Sequence, residues 1–420
     1  MLLKILLFFL FFLPFQWALN PLEGVDLIWG RLLVLFLLLF WLIQSLLKKK
    51  IFLRWDKQFF FFFSFIISIF LSLFFTSNLS WSWRKIFFLF SWIPLYFIIN
   101  HLVIFDKKNN EKILKAIVLG SGLSAMIGIG QFFMQFLLGL DKWLIFWRKI
   151  SVFFLGKNFG ESVLEYSSWL VNIKGETIFR AIAFFPDPHI AGFYWEMTFF
   201  LAGVLFLTTH KKIYGGITLM IFLALILTFS RGAYFGFLGS LFLFFLINVL
   251  KIKKDYYKNL FFQKKKPWLS FLAIVLILLL ISPLNHRLIS SFNLSEGSNA
   301  ERLYNWQQAI KIIKNYGGWG VGIGNYSLSV KPSASYREPI YAHNLYFDIW
   351  SELGIIGIIS WTGIIISSFL INYNKFFKNN NLIALGVLLS LVAFSFHSFF
   401  ETALYSVHIF PLLLVLLAIS

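Results

Sequence analysis

Apolar runs of 18 residues and more recur along this chain, and they limit what it can fold into more than any other feature. A run of that length spans the hydrocarbon core of a bilayer as a helix, about 30 Å at about 1.5 Å per residue. The expected fold class is therefore an all-α polytopic membrane protein, with 1–420 forming a single integral membrane domain. Candidate spans are the opening run and then about 27–47, 59–76, 86–105, 113–136, 190–209, 213–229, 232–250, 267–283, 353–372, 382–397 and 402–419, or about 12 transmembrane helices. The opening run resembles a secretory signal, but Phe15 to Asn20 lack a small-x-small cleavage site, so it is kept as the first span. Charged residues make up 13% of the chain, against about 25% in soluble domains. The absence of cysteine excludes disulfides, thiol nucleophiles and thiolate metal sites.

A net charge of +19 could suggest nucleic acid, but its placement argues for a membrane and no nucleic acid. Of the 37 basic residues, 21 fall at Lys4, around 48–57, around 107–115, at Lys211 and Lys212, in 251–266, and at Lys375 and Lys378. Those segments hold only Asp56, Asp106, Glu111 and Asp255 as acids. Loops this rich in Lys and Arg stay in the cytoplasm. Two long loops, 137–189 and 284–352, then lie on the extracytoplasmic side, and so does the turn at Ser230 and Arg231. The Lys264 to Lys266 run is a topology signal with anionic lipid as a contact.

The first outer loop carries Trp143 to Ile150, an aromatic and basic stretch suited to the membrane interface. It ends in Phe179 to His189, where two prolines precede the next span. The large outer loop holds a predicted helix that opens on a capping box, Ser298-Asn299-Ala300-Glu301. Leu303, Trp306, Ala309, Ile310 and Ile313 would form its apolar face, and Gly317 and Gly318 would stop it. Arg302 then falls in the first turn, where unpaired backbone N–H groups and a guanidinium together suit a phosphate. Taken alone, Arg302 reads equally as a solvated side chain or a partner of Glu301 or Glu296. Arg231, between two apolar runs, is either functional or snorkels to the headgroups. His343 has the side chain best matched to proton transfer near neutral pH, or is a structural histidine. His189, His286 and His397 are read as structural. No Walker loop, His-Glu-x-x-His pair, internal repeat or Asp-x-Asp is present, and metal binding is not expected.

Four of these segments together resemble the O-antigen ligase and O-antigen polymerase family of bacterial membrane glycosyltransferases. They are Thr228-Phe229-Ser230-Arg231-Gly232-Ala233, Glu301-Arg302-Leu303-Tyr304-Asn305-Trp306, Gly320-Val321-Gly322-Ile323-Gly324-Asn325-Tyr326, and Ala342-His343-Asn344-Leu345-Tyr346 through Glu352-Leu353-Gly354. The stretch from Arg180 to His189 is similar to a further segment of that family, with Asp187-Pro188-His189 in place of the more usual Asn.

The resemblance implies a GT-C-like fold in the bacterial cytoplasmic membrane, with the large loop carrying part of an active site on the periplasmic or extracellular side. It implies a glycan donor linked to polyprenyl (undecaprenyl) diphosphate, arginines at Arg231 and Arg302 as diphosphate ligands, and His343 as the base that deprotonates a sugar hydroxyl. Arg180, Tyr304, Asn344 and Tyr346 in the matching segments are candidates for further substrate contacts, with Asn344 orienting His343. The expected enzyme is metal-independent, inverting and without cofactor. Its acceptor is another lipid-linked repeat in a polymerase, or a lipid A-core or other saccharide in a ligase. A chain-length regulator or a flippase would suit as a protein partner. Two readings from other classes stand beside it, a multi-span transporter or lipid-linked glycan flippase and a non-catalytic envelope assembly protein.

Overall fold

A computed structural model describes residues 1–22, 25–165, 168–173, 175–249, 297–336, 338 and 340–420. The predicted span 267–283, the Lys264 to Lys266 run, His286 and the first part of loop 284–352 lie outside the described residues. In chain order the helices are α1 (Leu2–Phe12), α2 (Trp29–Lys48), α3 (Lys57–Leu71), α4 (Leu79–Trp92), α5 (Pro94–Phe105), α6 (Asn109–Leu138), α7 (Leu140–Leu155), α8 (Lys157–Glu165), α9 (Pro188–Thr209), α10 (Lys212–Leu227) and α11 (Arg231–Val249). After the undescribed stretch come α12 (Gly297–Tyr316), α13 (Tyr326–Val330), α14 (Leu345–Asn379), α15 (Leu382–His397) and α16 (Ile409–Ile419). Two antiparallel hairpins interrupt the all-helical expectation, β1 (Ala18–Leu22) with β2 (Val25–Ile28) and β3 (Leu170–Ile173) with β4 (Glu176–Phe179). The protein is a mostly helical, multi-pass membrane protein. Six helical segments among the described residues, 29–48, 57–75, 79–105, 109–138, 188–209 and 345–379, are long and apolar enough to cross a membrane, and α1, α10, α11, α15 and α16 are shorter apolar helices.

Polar side chains set many of the helix starts. Asp56, Asn78, Asp187, Asn344 and Asn381 each accept a first-turn N–H of the helix that follows, which satisfies donors that a helix leaves unpaired. Pro94 lacks an N–H, and the predicted span 86–105 is accordingly divided into α4 and α5. The core is built on α9, with α10 and α15 packed along it, while α11 lies on α15, and α14 packs against α3. In the first long loop, α7 turns Trp143, Trp147 and Phe154 toward Trp169, Phe179 and Ile182 and leaves Ile145, Phe146 and Phe153 exposed.

The longest helix departs from its predicted bounds. Hydropathy starts a span at 353, but α14 begins at Leu345. Its first two turns carry Asp348 and Glu352, which read as loop in a hydropathy profile yet are buried with partners. Gly354, at φ +67° and ψ −163°, breaks the helix at the old boundary.

Candidate active site

The turn between α10 and α11 is fixed from several sides. Phe229 takes a left-handed φ of +50°, and Ser230 and Arg231 are both buried. Arg180 clamps it: Nε donates to the Thr228 carbonyl at 2.6 Å and Nη1 to the Ser168 carbonyl at 3.0 Å, while the neighbouring Ala181 N–H donates to the Leu227 carbonyl at 2.9 Å. His189 Nδ1 lies 3.0 Å from Ser230 Oγ. Below the turn, a Cβ at Gly232 would sit 2.5 Å from the His397 ring, so only glycine allows α11 this close to α15. His397 is itself held by Glu196 at 3.0 Å and stacked on Phe193.

A second group of residues meets at the segment between α15 and α16. His343, in left-handed backbone at φ +49°, directs Nδ1 to Glu401 Oε1 at 3.0 Å. The same oxygen accepts the Thr402 N–H at 3.1 Å. Asp348 joins the two loops, accepting the Ala342 N–H at 2.9 Å on one oxygen and the Thr402 hydroxyl on the other. Leu345 N–H donates to the Ser398 carbonyl at 2.9 Å. Arg302 reaches the segment from α12, donating Nε–H to the Phe400 carbonyl at 3.2 Å. The Phe400 ring stacks on Phe235 of α11 at 5.3 Å and lies 6.5 Å from the Trp306 ring. Phe400 thus links the helix that Arg231 opens to the helix that carries Arg302.

Charge follows this geometry. The Glu401 carboxylate beside His343 raises the imidazole from 6.5 to about 9, against the opposing effects of burial and of Arg302. Burial alone would push the Glu401 carboxyl up, but His343, through charge and hydrogen bond, and Arg302 outweigh it and hold the group well below the usual carboxylate range. His343 and Glu401 rest as an ion pair at neutral pH, with the imidazole's second nitrogen, Nε2, outside that contact.

The glycine-rich turn supports the site without entering it. Gly320, Gly322 and Gly324 all take positive φ, and a Cβ at Gly320 would meet the Glu352 carbonyl at 2.3 Å. The break at Gly354 withholds helical partners from the Ser351 and Glu352 carbonyls, and these accept N–H groups of Val321 at 2.8 Å and Gly322 at 3.1 Å. Asn325 is fully buried: Oδ1 accepts from Ser77 Oγ and Asn78 N, and Nδ2 donates to Thr76, Ser82 and the Ile323 carbonyl. Lys85 closes the latch on Glu352 at 2.9 Å.

Several residues singled out in the sequence stand elsewhere than expected. Gly297 to Ala300 are already helical, so Arg302 lies beyond the first described turn of α12 and not in an opening turn. The buried face of α12 is Ala309 and Ile312, whereas Leu303 and Ile310 are 37% and 40% exposed. Asn344 does not orient His343: its Oδ1 caps α14 by accepting the Tyr346 and Phe347 N–H groups, and Glu401 holds the ring instead. Tyr346 donates its hydroxyl to the Ser395 carbonyl at 3.0 Å, tying α14 to α15. Tyr304 stands 57% exposed on α12. Glu401 was not singled out, although a lone acid between two apolar runs is the signal that a buried partner is needed.

The chain as a whole matches no curated protein. Residues 216–362, from α10 to the middle of α14, match the family model described as O-antigen ligase, which bears out the resemblance read from the motifs.

Proposed function

We propose that this protein transfers a glycan from polyprenyl diphosphate to a sugar hydroxyl at the outer face of the cytoplasmic membrane, the reaction common to O-antigen ligases and polymerases. The observation that carries the reading is the convergence at 398–402, where His343 pairs with Glu401 while Arg302 ties in from α12 and Phe400 stacks on α11 beside Arg231. The outward placement of this end of the molecule rests on the basic residues concentrated in the opposite loops.

In this mechanism Arg231 and Arg302 bind the diphosphate. As the bond from the sugar's anomeric carbon to the phosphate oxygen breaks, its electron pair passes to the diphosphate, and the guanidiniums stabilise the growing charge without a divalent ion. His343 must first release its second proton. Its Nε2 then takes the proton of the acceptor hydroxyl as the hydroxyl oxygen bonds to the anomeric carbon from the opposite face, which inverts that centre. Glu401 keeps the Nδ1–H in place and stabilises the imidazolium that forms. Polyprenyl diphosphate leaves with the electron pair and the acceptor carries the glycan.

The test is transfer in vitro by the purified protein from a polyprenyl-diphosphate glycan, with donor binding followed separately. The expected result is that His343→Ala loses transfer by about a hundred- to ten-thousand-fold, while donor binding falls little. A variant that binds donor poorly but turns over bound donor normally would make His343 a ligand. Glycan movement across vesicles without bond formation would point to a transporter instead.

A further inference from the structure

His189 is the second residue of α9, held there by Asp187, which accepts its backbone N–H at 2.8 Å. Its imidazole, read in the sequence as structural, stands against the Arg231 turn and within electrostatic reach of Glu401 and Arg302. Nδ1 lies 3.0 Å from Ser230 Oγ, the residue before Arg231. Arg180, Glu401, Arg302 and His397 are the charged and titratable groups that act electrostatically on the ring, and they come from the segment before α9, from α12 and from both sides of the α15 end.

In one tautomer the Ser230 hydroxyl, which accepts the Ala233 N–H at 3.4 Å, donates its own proton to His189 Nδ1. An imidazole that accepts at Nδ1 keeps its proton on Nε2. Nε2 has no hydrogen-bond partner among the described residues, and the side chain is only half-buried. In that tautomer Nε2–H is a donor on a ring that touches the Arg231 turn and lies within electrostatic reach of Arg302.

Resting on the transfer reading above, we propose that His189 is a third diphosphate ligand, its Nε2–H donating to a non-bridging oxygen of the leaving group while Ser230 holds the tautomer. Two guanidiniums bind a diphosphate through planar pairs of N–H groups; an imidazole adds a single donor whose direction is set by one torsion-locked ring. No proton is transferred in this role, and the ligand chemistry is that of a polyprenyl diphosphate.

The experiment titrates undecaprenyl diphosphate and undecaprenyl monophosphate separately into the purified full chain. An asparagine at 189 places its amide near Nδ1 and falls short of Nε2, whereas a glutamine reaches Nε2. His189→Asn should weaken undecaprenyl diphosphate binding about tenfold with less effect on the monophosphate, and His189→Gln should restore it to within a few-fold. Ser230→Ala should weaken binding in the wild-type background and have little effect on His189→Gln. If His189→Asn binds the diphosphate as tightly as wild type while Arg302→Ala loses it, His189 is no ligand and the transfer reading survives. Glutamine performing no better than asparagine, or Ser230→Ala acting equally in both backgrounds, would reduce His189 to a packing residue. A wild-type chain that binds diphosphate no better than monophosphate would overturn this inference and the transfer reading together.

Discussion

His343 Nδ1 and Glu401 Oε1 meet at 3.0 Å although 58 positions separate them in the chain. The pair gives the loop before α14 a fixed imidazole, and it also sets a constraint on the proposed reaction. An imidazole raised to about 9 is protonated at neutral pH, and a protonated ring cannot act as a base.

Transfer at saturating donor should therefore rise with pH across the neutral range, reach half its maximum near 9 and level off above that, as His343 loses its proton. Folding should show the opposite trend. A group whose pKa is raised in the folded state contributes stability below its unfolded value, here 6.5, and that contribution is lost as pH rises through about 9. Thermal unfolding followed across this window should fall in temperature as pH rises. A flat rate profile between 6.5 and 9 would mean that no ionisation of His343 limits transfer.

Glu401→Gln keeps an acceptor for the Nδ1–H but removes the charge. The midpoint of the rate profile should move down from about 9 toward 6.5, and the pH dependence of unfolding should shrink with it. The plateau rate should drop about tenfold or more, because the imidazolium formed during proton transfer loses its counter-charge. An unchanged midpoint would show that the pair does not control His343.

The spans were readable from the sequence because burial in lipid selects apolar runs, and α9, α10 and α15 lie within a few residues of their hydropathy bounds. Motif order also placed Arg302 and His343 in the stretch that converges. What hydropathy misses is a polar residue satisfied by a distant partner. Asp348 and Glu352 count as loop until Thr402 and Lys85 are brought beside them, and so α14 looked eight residues shorter at its start. Glu401 gains its meaning only from His343, and His189 only from Ser230, contacts that no local spacing encodes. On α12, periodicity alone could not decide which stripe faces inward, and the Ala309 side won over the Leu303 and Ile310 side.

Arg231→Ala and Arg302→Ala should each abolish transfer with insertion intact, and lysine should rescue poorly because it lacks the planar two-pronged contact. Arg302 opposes the second proton on His343, so its loss should also move any residual rate profile to higher pH. Transfer should survive EDTA. Full activity in either alanine variant, or strict dependence on a divalent ion, would remove the two-arginine account of the diphosphate.

Topology can be checked independently of chemistry. Ser333 and Lys211 are both exposed, the first in the large loop and the second between α9 and α10. In intact spheroplasts a cysteine at Ser333 should react with an impermeant thiol reagent and one at Lys211 should not; the reverse pattern would place the candidate site on the cytoplasmic side.

The glycine latch should matter for stability more than for chemistry. Asn325 is fully buried with both ends of its amide engaged, so Asn325→Ala would take the acceptor from the Asn78 N–H and the Ser77 hydroxyl, while Thr76 and Ser82 still bond each other and Ser82 the Ile323 carbonyl. A polar group left unpaired away from water costs about 1–3 kcal/mol, the exposed Ser77 hydroxyl can turn to water, and a net loss of about 1–3 kcal/mol is expected. Gly320→Ala forces a Cβ to within 2.3 Å of the Glu352 carbonyl at a φ of +81°, and should destabilise at least as much. Both substitutions act on the segment that receives the carbonyls freed at Gly354, so α14 should loosen at its broken turn while the His343 and Glu401 contact, anchored separately by Asp348 and Thr402, persists. The measurement is thermal unfolding alongside the pH profile of whatever transfer remains. A lower unfolding temperature with the profile midpoint still near 9 is the expected outcome; a midpoint that shifts with the latch would show that the glycine turn reaches into the site after all.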